Sequence, residues 1–375
     1  MIPASMVAIR ISARFAAVAA FIALALACAA PRAAAQYEVG APISIGVHLA
    51  TSTTSGQEID DYTRQVGARP EIVMVYGSWN EPFLYFTQLR AMAARNVTPL
   101  LTWDPVLSSG GVPLRDIVRG KHDDYIRESA KLAVEWGKPL YVRFAHEMNL
   151  AQASYGPGRN GNRPEDFVAT WRHIVRIFND EGATNVSWVW SPNVHCGGRC
   201  PFIKFFPGDR WIDWVGLDGY NYAEVTDVKW FSFTKLFGRS YDLATRLSQR
   251  PVMVPETAST EDGGDKAAWI RSAFLSEIPT RFPRIRAVIW FNKVKETNWR
   301  VDSSGASLEA WREVVRSTLY NDAVARRTAA APVPPDSPAY FHCLVFGGTP
   351  AACGTRGGYR NLATRSRVFS HVSSG

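Results

Sequence analysis

Asp123-Asp-Tyr-Ile-Arg-Glu-Ser-Ala-Lys-Leu-Ala-Val-Glu-Trp136 is followed by Gly137-Lys-Pro139 and then by Leu140-Tyr-Val-Arg-Phe-Ala145. The first segment is amphipathic at helical spacing, and the last is a largely apolar run of strand length. The same change recurs along the chain. Strands are expected at Ile43–His48, Ile72–Tyr76, Val97–Trp103, Leu140–Ala145, Val186–Ser191, Ile212–Asp218, Val252–Pro255 and Ile285–Phe291. Several are almost continuously apolar, as strands covered on both faces are. Between them, Phe83–Arg95 sets Leu84, Leu89 and Met92 near one side, and Glu165–Asp180 follows Pro164, a favoured first helical residue. Eight strands alternating with helices predict an α/β fold, a (β/α)8 TIM barrel with a short, poorly patterned C-terminal extension. The rival is a doubly wound open sheet. It would carry a glycine-rich phosphate turn after the first strand, where this chain has His48-Leu49-Ala50-Thr51.

The chain has 375 residues, 46% of them hydrophobic, with 42 Lys and Arg against 34 Asp and Glu. The formal charge of +8 sits at the ends. Residues 1–35 carry +3, residues 321–375 carry +4, and the middle is left with +1. A near-neutral central domain lacks the clustered basic face that phosphate binding needs, so nucleic acid is not expected as a partner.

Arg10 and Arg14 precede an apolar run from Phe15 to Ala30, and Ala33-Ala34-Ala35 offers a cleavage site before Gln36. This is the pattern of a secretory signal peptide. The run is short for a retained anchor, which needs about 20 residues. The domain reading is therefore a signal at 1–35, a catalytic barrel at 36–320, and a Pro/Ala linker with a basic tail at 321–375. A secreted or periplasmic location is expected, with no stable membrane insertion after cleavage. In an oxidising compartment Cys196 with Cys200, and Cys343 with Cys353, suit two short-range disulfides. A metal site at His195-Cys196-x3-Cys200 has too few ligands and the wrong spacing for common zinc motifs.

In a barrel, chemistry belongs at the C-terminal ends of the strands. Those ends read Trp103-Asp104, His146-Glu147, Ser191-Pro192-Asn193, Asp218-Gly219-Tyr220, Glu256 and Trp290-Phe291-Asn292. Aromatic faces beside hydrogen-bonding groups suit a sugar. Two glutamates, Glu147 and Glu256, end the fourth and seventh strands, on opposite sides of the rim. Glycoside cleavage needs such a pair, one to protonate the leaving oxygen and one to attack or to activate water. At a separation of about 5–5.5 Å they would act with retention. Arg143, Ala145 and Glu147 alternate along one face of their strand, and His146 and Asn149 crowd the same rim. Trp79-Asn80-Glu81-Pro82 imitates an acid/base signature, but it follows the second strand, and Pro82 at a helix start reads as a cap.

The string Arg143-Phe144-Ala145-His146-Glu147-Met148-Asn149 resembles the acid/base motif of glycoside hydrolase family 26. Further similar strings follow in order: Pro99-Leu-Leu-Thr-Trp103, Trp188-Val-Trp-Ser-Pro-Asn193, Trp214-Val-Gly-Leu-Asp-Gly-Tyr-Asn221, Pro251-Val-Met-Val-Pro-Glu256 and Trp290-Phe-Asn292. That family consists largely of retaining β-mannanases, with some β-1,3-1,4-glucanases and β-1,3-xylanases. The resemblance implies Glu147 as acid/base and Glu256 as nucleophile. It implies that His146 orients groups at the cleavage subsite, that Tyr220 hydrogen-bonds the nucleophile, that Trp290 is the stacking platform, and that Trp103 lines the neighbouring subsite. Two positions depart from the family pattern. Leu150 stands where glycine is common, and Gln152 where an aromatic is expected, with Tyr155 as the nearest substitute. The glycine-rich loop Tyr155–Asn162 is also unusual.

The expectation is a monomeric, cofactor-free enzyme cleaving a β-linked polysaccharide internally, β-1,4-mannan first. The alternatives are mixed-linkage glucan, xylan or a bacterial exopolysaccharide with the same chemistry, or a non-catalytic polysaccharide-binding or assembly protein on the same scaffold.

Overall fold

The computed structural model describes residues 42–49, 55–194, 201–222 and 230–320. The signal at 1–35, the pairs Cys196/Cys200 and Cys343/Cys353, and the tail at 321–375 lie outside the described residues.

Eight parallel strands close into a barrel: β1 (Ser44–His48), β2 (Ile72–Ser78), β3 (Thr98–Asp104), β4 (Leu140–Phe144), β5 (Val186–Trp190), β6 (Trp214–Gly216), β7 (Val252–Thr257) and β8 (Ile285–Phe291). Each pairs with the next in chain order, and β8 pairs back on β1, from Ser44 opposite Ala287 to His48 opposite Phe291. The expected (β/α)8 barrel is the observed fold. β6 is shorter than the sequence implies, because its register against β7 slips after Leu217, two residues on β6 matching three on β7. Leu217 N–H donates to Met253, Asp218 N–H to Pro192, and Gly219 N–H to Glu256. β7 is longer, so Glu256 lies inside the strand rather than after it. At Gly216 a β-carbon would stand 2.4 Å from Ser191 Oγ, so only glycine lets β5 and β6 approach there.

The helices follow the local signals. Asp123–Trp136 is helical as read, buries Ile126, Ala130, Ala133 and Trp136, and ends on Gly137 at φ 63°. Pro164–Asp180 begins with its proline in the first turn, and Asp166 accepts the Arg163 backbone N–H at 3.0 Å. The helix after β2 is a correction. It spans Phe86–Ala94 with Tyr85 at its N-cap, so Pro82 precedes the helix and caps nothing. Glu81 is exposed in the turn before it.

Strand alternation sorts side chains between the barrel interior and the helical layer. On β3, Thr102 faces inward to Arg143, while Trp103 packs against Phe83, Phe144 and Phe178. On β8, Phe291 reaches His48 and Tyr220, while Trp290 packs against Phe274 and Trp311. Among the described residues, no helix is long and apolar enough to cross a membrane.

Candidate active site

Inside the C-terminal mouth of the barrel, one cation serves two carboxylates. Arg143 on β4 is fully buried. Its Nη1 donates to Asp218 at 2.9 Å, its Nη2 to Glu256, and both Nε and Nη2 reach Thr102 Oγ1. Burial pushes the Asp218 carboxyl up to about 8, and the Glu256 charge adds to this against the pull of Arg143. Ser191 Oγ holds the other Asp218 oxygen at 2.7 Å. One guanidinium cannot neutralise two buried carboxylates, and it is Asp218 that tends to keep its proton.

Glu256 is 5% exposed. One of its oxygens, Oε1, accepts from Arg143 Nη2 and from the Tyr76 hydroxyl, and Oε2 accepts from the Tyr220 hydroxyl. His146 Nε2 lies 3.9 Å from Oε1. Burial alone would raise this carboxyl. The charges of Arg143 and His146 and the two phenols outweigh it and hold Glu256 at about 2.

The chain leaving β4 is bent sharply. Ala145 (φ 44°) and Glu147 (φ 52°) both adopt the left-handed region without being glycine, at a cost of about 1–2 kcal/mol each. Two backbone bonds hold this bend: Ala145 N–H to the Trp103 carbonyl at 3.0 Å, and Glu147 N–H to the Ser191 carbonyl at 2.8 Å. His146 sits between them. Its Nδ1 is 3.1 Å from Asp104 Oδ1, and the Tyr155 hydroxyl bridges Asp104 (2.9 Å) and the His146 carbonyl (2.8 Å). Burial pulls the imidazole pKa down, but the Asp104 carboxylate prevails and raises it to about 9. Glu147 accepts from Asn193 Nδ2 at 2.6 Å. Burial raises its pKa, and the Glu256 charge reinforces this against His146 and Asn193. The two glutamates are thus driven in opposite directions, Glu147 toward the protonated form and Glu256 toward the ionised form.

Of the residues singled out in the sequence, Glu147, Glu256, His146 and Tyr220 gather at this mouth. Trp290 and Trp103 do not join them. Both are fully buried in the helical layer, where Trp290 Nε1 donates to the Trp299 carbonyl (2.8 Å) and Trp103 Nε1 to Tyr125 (3.2 Å). Neither offers a ring face to a sugar, since the parity of its strand turns it outward. Tyr155 is buried too, and it braces His146 rather than replacing a stacking aromatic. Tyr76 was missed. It ends the second expected strand, and the strand-end rule that selected Asp104 selects it equally well.

Residues 111–279 match the sequence model of glycosyl hydrolase family 26. Endoglucanase H of Acetivibrio thermocellus is 33% identical over 287 residues, which cover 74% of this chain. The match spans about a third, 31%, of that relative's length. Among solved structures, the catalytic domain of an endo-β-1,4-mannanase from Bacillus sp. JAMB-750 superposes with a TM-score of 0.60 at 17% identity, covering 75% of this chain and 87% of that one. A modular endo-β-1,4-mannanase from Cellulomonas fimi gives 0.59 at 17% identity, covering 75% and 72%. At these identities the superpositions speak for the fold.

Proposed function

Because the chain belongs to glycosyl hydrolase family 26, we propose that it is a retaining endo-β-glycosidase that cleaves a β-linked polysaccharide, β-1,4-mannan first. Glu256 attacks the anomeric carbon while Glu147 protonates the leaving oxygen. Glu147 then takes a proton from the water that releases the sugar. The observation that carries this reading is the meeting of two glutamates at one mouth in opposite surroundings. Glu256 faces the Arg143 guanidinium and two phenols, which favour its ionised form. Glu147 accepts from the Asn193 amide and is otherwise left to burial, which favours its protonated form. His146, kept cationic by Asp104, supports the ionised nucleophile and offers a donor to a sugar hydroxyl. By its sequence the mature protein acts outside the cytoplasm, where polymeric glycans are met.

A second substrate reading, a β-glucan, is favoured by the relative named Endoglucanase H, which shares more identity than the superposed mannanases. The test is reducing-end release by the full chain on mannan, glucomannan, mixed-linkage glucan and xylan, with Glu147→Ala and Glu256→Ala beside it. Cleavage of one polymer, abolished in both variants, supports the reading and names the substrate. Binding with no release on any polymer would turn it toward a non-catalytic glycan-binding role.

A further inference from the structure

Tyr76 differs from the other groups around the nucleophile. The residue is 39% exposed, yet its hydroxyl is bound to Glu256 Oε1. The ring stands edge-on to His48 (5.0 Å) and to His146 (5.7 Å), and the Arg143 guanidinium lies 5.9 Å from its centroid. A carboxylate oxygen has two in-plane lone pairs, four for the group. On Glu256, Arg143 and Tyr76 take two on Oε1, and Tyr220 takes one on Oε2. Among the described residues a single site is left, and it is on Oε2.

We propose that Tyr76 is a positioning residue for Glu256: with Arg143 it saturates one carboxylate oxygen and leaves attack to the other, the one that Tyr220 holds. This rests on the two-glutamate reading above. In the first step Oε2 bonds to the anomeric carbon as the glycosidic bond breaks. The bonding pair leaves with the departing oxygen, which takes the Glu147 proton. Oε1 becomes the carbonyl oxygen of the glycosyl ester and still faces its two donors. Water then attacks the anomeric carbon, Glu147 takes a proton from it, and the pair returns to Oε2. The hydroxyl of Tyr76 therefore acts on the carboxylate in both steps.

The rival role for Tyr76 is packing between His48 and His146, and Tyr76→Phe separates the two because it keeps the ring. Glu256 also feels Arg143 and Asp218 inside the barrel, His48 from β1, His146 and Glu147 from the loop after β4, and Tyr220 after β6. None of these changes in the variant. On the polymer that the wild type cleaves, Tyr76→Phe should lower kcat at least about tenfold with KM within about twofold, and should move the acid limb of kcat/KM to higher pH. Tyr76→3-fluorotyrosine, with a stronger donor on the same ring, should move that limb the other way. Wild-type kcat with an unmoved limb in both variants overturns the proposal. If the wild type cleaves nothing, the two-glutamate reading is what fails. The Tyr76 assignment is then decided by a carbon-13 NMR titration of the Glu256 carboxyl, identified by its loss in Glu256→Ala. Protonation that sets in at higher pH in Tyr76→Phe supports the assignment, and an unchanged titration overturns it.

Discussion

The Asn149 carboxamide closes on the backbone of Asn193 from both sides: its Nδ2 donates to the Asn193 carbonyl and its Oδ1 accepts from the Asn193 N–H, each at 2.9 Å. The Asn193 side chain is thereby fixed where it donates to Glu147. The loop after β4 carries the acid/base candidate and, through Asn149, also sets the group that tunes it.

Asn193→Ala should therefore act through pH as well as rate. Its donation favours the ionised form of Glu147, so its loss should move the alkaline limb of kcat/KM upward and lower the optimum rate by about tenfold or more. Asn149→Leu should shift the limb the same way by less. It should also cost about 1–3 kcal/mol of stability, because two backbone groups lose their partner. A pH–rate profile and thermal melts of both variants check this.

Asp218→Asn should be tolerated. Burial keeps the carboxyl protonated to about 8, and an amide mimics that neutral form while Arg143 keeps Glu256. Activity within about tenfold of wild type is expected, against essentially complete loss in Glu256→Gln. Unfolding of the Asn variant in urea would show instead that the ionised Asp218 is what Arg143 requires, since breaking such a buried pair costs about 3–5 kcal/mol.

Stability should fall as pH rises from about 6.5 through 9. His146 has a folded pKa raised above its ordinary 6.5, so its contribution is complete below 6.5 and is lost as the pH passes about 9. Up to about 3 kcal/mol is at stake. Urea midpoints across that window should drop in the wild type and stay flatter in His146→Gln. Equal slopes would remove the Asp104 pairing as the cause.

Trp290→Ala should destabilise by about 3–5 kcal/mol and leave the KM of the remaining folded enzyme near wild type. Trp103→Ala should behave alike. A raised KM at unchanged melting temperature would return either ring to the substrate.

All eight strands were legible because each covered strand is a short apolar run and each helix carries its own periodicity, as Asp123–Trp136 and Leu140–Phe144 show side by side. Strand order then followed from chain order. The helix after β2 was misplaced toward Pro82 because a proline before a helix looks like a proline inside its first turn, and the two differ only in backbone geometry. Glu147, Glu256, His146 and Tyr220 were found because a barrel exposes what ends its strands.

Sequence by itself determined the closed barrel, the rim residues and the pairing of two glutamates, since these depend on period and order along the chain. Tertiary structure decided the rest. The inward or outward parity that removed Trp103 and Trp290 from the mouth depends on where each strand sits in the closed sheet. The sharing of Arg143 between Asp218 and Glu256, and the reach of Tyr76 across 180 residues to Glu256, depend on burial. Burial strengthens charge–charge coupling between groups that the chain places far apart, and no local pattern records that distance.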